Sequence, residues 1–157
     1  MAGKHLLAIL ALPLIANSAV AQSEAPEDTI AALFDAMRAG DGDAVRNRVR
    51  TGATLERATS EGVRDLPFED WASWIDTLES GQADEQIFEV EVRQFGNLAS
   101  VWAPFVISLD DEIRGCGVNH FTLALEEDLW IVTHGSDTPY DGDCETFQQV
   151  YKERDAG

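Results

Sequence analysis

The sequence predicts an α+β fold, with three N-terminal helices packed on one curved antiparallel sheet of four to six strands. Three observations predict it. Between Ile30 and Leu78 apolar residues recur mostly at helical spacing. From Gln86 onward the period changes to two. The 157 residues, 45% of them hydrophobic, contain no internal repeat and no linker, so a single core serves the chain. Helices first and strands afterwards is the order of an α+β domain.

The first residues come before that domain. Lys4 and His5 make a short basic start, and Leu6 to Ala16 is apolar apart from Pro13. Ala19-Val20-Ala21 supplies small residues at a cleavage site. Residues 1–21 therefore read as a signal peptide that is removed, too short to span a bilayer. Residues 22–28 follow as a polar lead-in.

The first helix is marked by Ile30, Leu33, Phe34 and Met37, and Gly40 ends it. Asp41-Gly42-Asp43 links to a second helix, Ala44 to Arg50, with an acidic N-cap. Thr54 to Thr59 has weak strand character, and Asp65-Leu66-Pro67 reads as a loop. Phe68, Trp71, Trp74, Ile75 and Leu78 mark a third helix. Phe88, Val90 and Val92 then alternate with charged residues in a half-buried strand. Gly96-Asn97 signals a hairpin into a strand from Leu98 to Leu109. Ile113 to Leu125 and Leu129 to Asp137 are the next two strands, and Thr138-Pro139 breaks the last. Phe147 to Arg154 has the pattern of a short terminal helix.

Composition limits the function classes. Eleven Lys and Arg against 29 Asp and Glu leave a net charge of −18. Nucleic-acid binding is excluded by the lack of clustered cations, and docking on anionic lipid is disfavoured. No phosphate loop, dinucleotide fingerprint or GxSxG elbow occurs, and no cofactor is expected. The leader implies a secreted or periplasmic protein, with no stable membrane association once it is cleaved. In an oxidising compartment Cys116 and Cys144, the only cysteines, pair in one way. The alternative, a catalytic thiol or a metal-ligand pair, lacks a CxxC spacing. The disulfide ties a tail of residues 140–157 to the domain at residues 29–139.

The segments IAALFDAMRAGDGDAVRNRV, FEDWASWIDTL and LASVWAPFVISLDDEIRGCGVNHFTLALEEDLWIVTHGSDT resemble the nuclear-transport-factor-2-like (NTF2-like) superfamily, near its SnoaL-like branch. Trp102-Ala103-Pro104-Phe105, Cys116-Gly117-Val118-Asn119-His120-Phe121 and Trp130-Ile131-Val132 look like its secreted bacterial members. The resemblance implies a cone-shaped roll, a cavity between helices and sheet, and frequent homodimers. It implies no single reaction, because the superfamily contains isomerases, dehydratases, cyclases and binding modules.

Turn lengths give candidate registers. A two-residue turn at Gly96-Asn97 sets Phe88 against Phe105 and Val92 against Val101. A three-residue turn at Asp110 to Glu112 sets Val101 against Phe121 and Ala103 against Asn119. Another at Glu126 to Asp128 sets Leu125 against Leu129, Leu123 against Ile131 and Gly117 against Asp137. One apolar face results, as a correct register requires. Asn119, Thr133 and Asp137 lie at its polar end, with Phe105 nearby and Trp71 and Trp74 as walls from the helix side. Asp137 is then either a general base or a hydrogen-bond anchor, with its pKa raised by apolar surroundings, or a cap for the turn at Thr138-Pro139. The opposite face aligns Glu91, Trp102, His120 and His134 in a row. An interface between two copies, a solvated surface and a metal site all fit that row. Trp102 splits the ligand set, so no metal is expected. His120 is a second candidate acid or base.

Three functions follow. The first is an exported domain binding a small apolar molecule or a partner. The second is an isomerase, dehydratase or cyclase using Asp137. The third is an interaction module whose large side chains fill the cone.

Overall fold

The computed structural model describes residues 24–155. The expected signal peptide, residues 1–21, and the start of the expected lead-in lie outside the described residues. Helix α1 is Pro26–Ala39, so the expected lead-in is helical from Pro26. Proline suits a first helical turn, where its missing N–H would have had no partner. α1 buries Ile30, Leu33, Phe34 and Met37. Thr29 is also buried and donates to the carbonyl of Trp130 at 3.0 Å, which ties the helix to the sheet. Gly40 ends α1 with φ of 74°, and a Cβ there would lie 2.6 Å from the Leu78 carbonyl oxygen. Helix α2, Gly42–Arg46, is capped by the Asp41 carboxylate and is shorter than expected.

Two strands follow: β1, Thr54–Thr59, and β2, Gly62–Pro67, paired antiparallel. The expected loop at Asp65-Leu66-Pro67 is thus strand. β2 forms one sheet edge, where proline is tolerated because no neighbour needs its N–H. Helix α3 is Phe68–Ile75. The strand expected from Gln86 through Val92 is two strands, β3, Ala83–Ile87, and β4, Glu91–Phe95, both paired with β5, Leu98–Leu109. β6, Glu112–Glu126, and β7, Leu129–Pro139, complete the sheet. Helix α4, Cys144–Asp155, closes the described chain.

The sheet has seven strands in the order β2-β1-β7-β6-β5-β3, with β4 beside β5. It is mixed, because β1 runs parallel to β7. The expectation of an all-antiparallel sheet of four to six strands is corrected to seven strands with one parallel pairing, and the described helices are the three N-terminal ones and a terminal helix that starts three residues before Phe147. A parallel neighbour joined through a distant part of the chain leaves no turn signal in the sequence.

Bulges correct the registers. Ile87, not Phe88, lies opposite Phe105, because Glu89, at φ of 38°, sits in an extra residue between β3 and β4. Phe88 turns to the other face and stacks on Tyr151 at 5.7 Å. Val92 does face Val101. Val101 faces Phe121 and Ala103 faces Asn119, as expected, although the turn has two residues, Asp110 and Asp111. A bulge in β6 between Ile113 and Gly115 restores the count. The β6–β7 turn is also two residues, Glu127 and Asp128. Both turns have φ between 50° and 68°, which suits the primed turns of tight hairpins. Leu125 therefore faces Trp130 and Leu123 faces Val132. Trp130 and Val132 are buried, while Leu129 is half exposed.

The main core lies between α1, α3 and one sheet face. A smaller cluster of Phe88, Val106 and Cys116 lies on the other face under Phe147 and Tyr151 of α4. The Cys116–Cys144 disulfide fastens α4 there, with Cα atoms 5.5 Å apart. No described helix is long and apolar enough to cross a membrane.

Candidate functional site

Under the helices, the helix-covered sheet face opens into a cavity of about 470 Å³. Phe34 from α1, Phe68, Trp71 and Trp74 from α3, and Ile107 and Phe121 from the sheet wall its apolar part. These large residues line the space and do not fill it. At the strand ends the lining becomes polar, with Arg57, Glu85, Asn119 and Asp137.

Register explains how these four meet. The shorter β6–β7 turn and the bulge at Thr133 each shift the register by one, and together they set Asp137 opposite Asn119 in place of Gly117. The shift from the expected pairing is two residues, so Asp137 keeps its face. Parallel pairing of β1 with β7 sets Arg57 beside Asp137. Arg57 Nε donates to Asp137 Oδ1 at 2.9 Å, and Nη2 donates to Oδ2. That bond to Asp137 raises the Arg57 pKa further above its usual range. Asp137 is therefore ion-paired with Arg57, in place of the apolar setting expected around it.

Glu85 comes from β3, in register with Ile107. It is only 8% exposed. Asn119 Nδ2 donates to Glu85 Oε1 at 2.6 Å, and no partner for Oε2 exists among the described residues. No fully enclosed side-chain oxygen or nitrogen lacks a partner there, so Oε2 meets the cavity. Burial is the main force on Glu85 and pushes its pKa up to about 7; the Asn119 bond opposes this, and Asp137 reinforces it. A carboxyl in this state exchanges a proton near neutral pH.

The structure brings Asn119, Asp137, Trp71 and Trp74 together around the cavity. Phe105 is buried but does not border the cavity. Thr133 is the bulge residue, and its hydroxyl donates to the Thr122 carbonyl at 3.0 Å. Glu85 and Arg57 escaped the sequence reading. A signal for Glu85 was present: Ala83, Glu85 and Ile87 share one face of a short strand, so a glutamate stands between two apolar residues. Arg57 owes its place to the parallel pairing, for which no local pattern exists.

On the outer face the expected row is altered. Glu91, Trp102 and His120 are neighbours, but His120 faces Ser136, and His134 faces Thr122. The two histidines are diagonal. Ser100 Oγ and His120 Nε2 are 2.8 Å apart, and His134 Nε2 lies 3.4 Å from Glu56 Oε1. Desolvation, with help from His134, lowers the His120 pKa. Trp102 is 47% exposed against the His120 ring. This face lies across the sheet from the cavity, so His120 is remote from Glu85 and Asp137. Among the described residues no group of three or more His, Cys, Asp or Glu is placed to hold a metal ion.

No protein-family model and no curated protein sequence matches this chain. Solved structures do. An NTF2-like protein of unknown function from Shewanella baltica is 15% identical over 74% of this chain and 92% of its own, with a TM-score of 0.57. An NTF2-like family protein from Streptomyces avermitilis, named as a candidate dehydratase, is 15% identical over 73% and 92%, with a TM-score of 0.59. The association domain of C. elegans CaMKII is 15% identical over 69% and 88%, with a TM-score of 0.57. The shared property is the NTF2-like fold, carried here by the helix-backed sheet. The names differ in function, so the fold leaves the chemistry to the site.

Proposed function

We propose that this chain is an exported NTF2-like domain of the SnoaL-like kind, whose cone holds a small molecule with an apolar body and a polar end. The carrying observation is the cavity of about 470 Å³, aromatic along its walls and closed at one end by Glu85, Asn119 and the Arg57–Asp137 pair. Few convergent polar groups in an apolar hollow are the usual form of a ligand site. Two cysteines joined in a disulfide suit an oxidising compartment, hence a secreted or periplasmic address. Two copies pair through the outer face around Trp102, Glu91, His120 and His134, because an exposed aromatic rimmed by polar groups suits an interface core.

Native mass spectrometry on protein taken gently from an exporting host tests the reading. The expected spectrum shows a dimer carrying a discrete extra mass. A bare monomer, together with no heat on titration of any apolar probe, would end it.

One observation favours a second reading, an acid–base enzyme of the isomerase, dehydratase or cyclase kind. Glu85 has a pKa of about 7 and an oxygen open to the cavity. In that reading Glu85 carries the proton, Asn119 orients it, and Asp137 holds Arg57. Glu85→Gln then loses turnover while still binding substrate.

A further inference from the structure

We propose that the ligand of this cavity is an apolar carboxylic acid, its carboxylate clamped at the rim by Arg64 and the free edge of Arg57. The inference rests on the reading of the cavity as a ligand site and names the class of ligand.

Arg57 and Arg64 are direct cross-strand partners in the β1–β2 hairpin, and both border the cavity. Like charges directly opposite on one sheet face repel. Only one of the pair is relieved inside the protein. Arg57 gives Nε and Nη2 to Asp137, and its Nη1 has no acceptor among the described residues. The Arg64 side chain has no carboxylate partner among them either. In a chain of net charge −18, with 29 acidic residues available, a cation left uncompensated beside another cation is conspicuous.

The remaining groups at the rim agree. Asp65 also borders it, but its strand position pairs it with Glu56, on the face away from Arg57. Asp137 is spent on Arg57. Glu85 is buried and bonded to Asn119. The rim therefore carries two guanidinium groups, with Asp137 the one carboxylate bonded to either of them among the described residues. Two guanidinium edges side by side match the geometry of a bound carboxylate. The aromatic walls then receive an apolar body about the size of a fused ring pair. Glu85 is left to meet a hydroxyl or carbonyl further along the ligand.

Calorimetric titration of the purified chain with three isosteres tests the clamp: 2-naphthylacetic acid, 2-naphthylacetamide and 2-(2-naphthyl)ethylamine. The acid should bind at least about tenfold tighter than the amide, the range expected for hydrogen bonds to a charged group. Arg64→Gln should remove most of the acid's advantage over the amide, leaving only the share held by the free edge of Arg57, and should leave the amide unchanged. Arg64 is exposed on an edge strand, so the variant should keep the far-ultraviolet circular dichroism of the parent. Equal affinity for acid and amide, or preference for the amine, overturns the clamp and leaves the cavity reading standing. A preference for the acid that is undiminished in Arg64→Gln overturns the clamp. Binding of none of the three overturns the clamp and the cavity reading together.

Discussion

Glu85 carries the largest local conflict in the fold, a carboxyl drawn out of water and given one amide for company. Its ordinary value is 4.5 and its folded value about 7. The folded chain therefore holds a proton that the unfolded chain has released. Stability falls as pH rises from about 4.5, and the loss is complete above about 7. The difference corresponds to about 3 kcal/mol. The charges facing Glu85 are Arg57 from β1, Asp137 from β7 and Asp84 on its own strand. Glu85→Gln keeps an acceptor for Asn119 and removes the titration. Its expected effect is a stability gain of up to about 3 kcal/mol near pH 8 and of under about 1 kcal/mol near pH 5. Denaturant unfolding of both proteins at the two pH values checks this. Equal gains at both would show that Glu85 does not titrate as described. The identity of the residue was visible in the sequence, but its role was not. The alternating pattern is plain only from Gln86, three positions into the strand that holds Glu85.

At the scale of elements, the disulfide makes α4 a separable part. Cys144 begins the helix, Cys116 lies on β6, and Phe147 and Tyr151 cover the small outer cluster. The bridge closes a loop of 28 positions, for which the chain-entropy model gives about 3–4 kcal/mol. Reduction should lower global stability by about that amount, measured by denaturant unfolding with and without a thiol reductant. Binding in the cavity should survive under native conditions, because α4 packs on the opposite face. Elements of this kind were the most legible part of the chain. The α1 pattern, the Asp41 cap and the Gly96-Asn97 hairpin all express local preferences and all appear in the structure. The errors came from counting. A two-residue turn in place of three moved Trp130 and Val132 into the core, because one step along a strand exchanges its faces. A later bulge at Thr133 added a second step and returned Asp137 to the inner side. The sequence marks apolar faces well and bulges poorly.

For the whole molecule, charge opposes compactness. With 29 acidic side chains against 11 Lys and Arg, the folded chain concentrates repulsion that the unfolded chain spreads out. Raising salt from about 10 mM to about 150 mM shortens the screening length from about 30 Å to about 8 Å. The melting temperature should rise over that range, and a fall would mean that surface ion pairs outweigh net repulsion. The α+β class was legible from the two periodicities, and the β1–β7 pairing was the part out of reach. That pairing also bears on how the molecule comes into being. Strands β5, β6 and β7 are joined by tight hairpins and need only neighbouring stretches of chain to find each other. Arg57 and Asp137 are 80 positions apart, and their meeting waits on a much larger loop closing. The polar end of the cavity therefore belongs to the late stage of folding. A chain caught before that stage has most of its sheet and no place to hold a ligand.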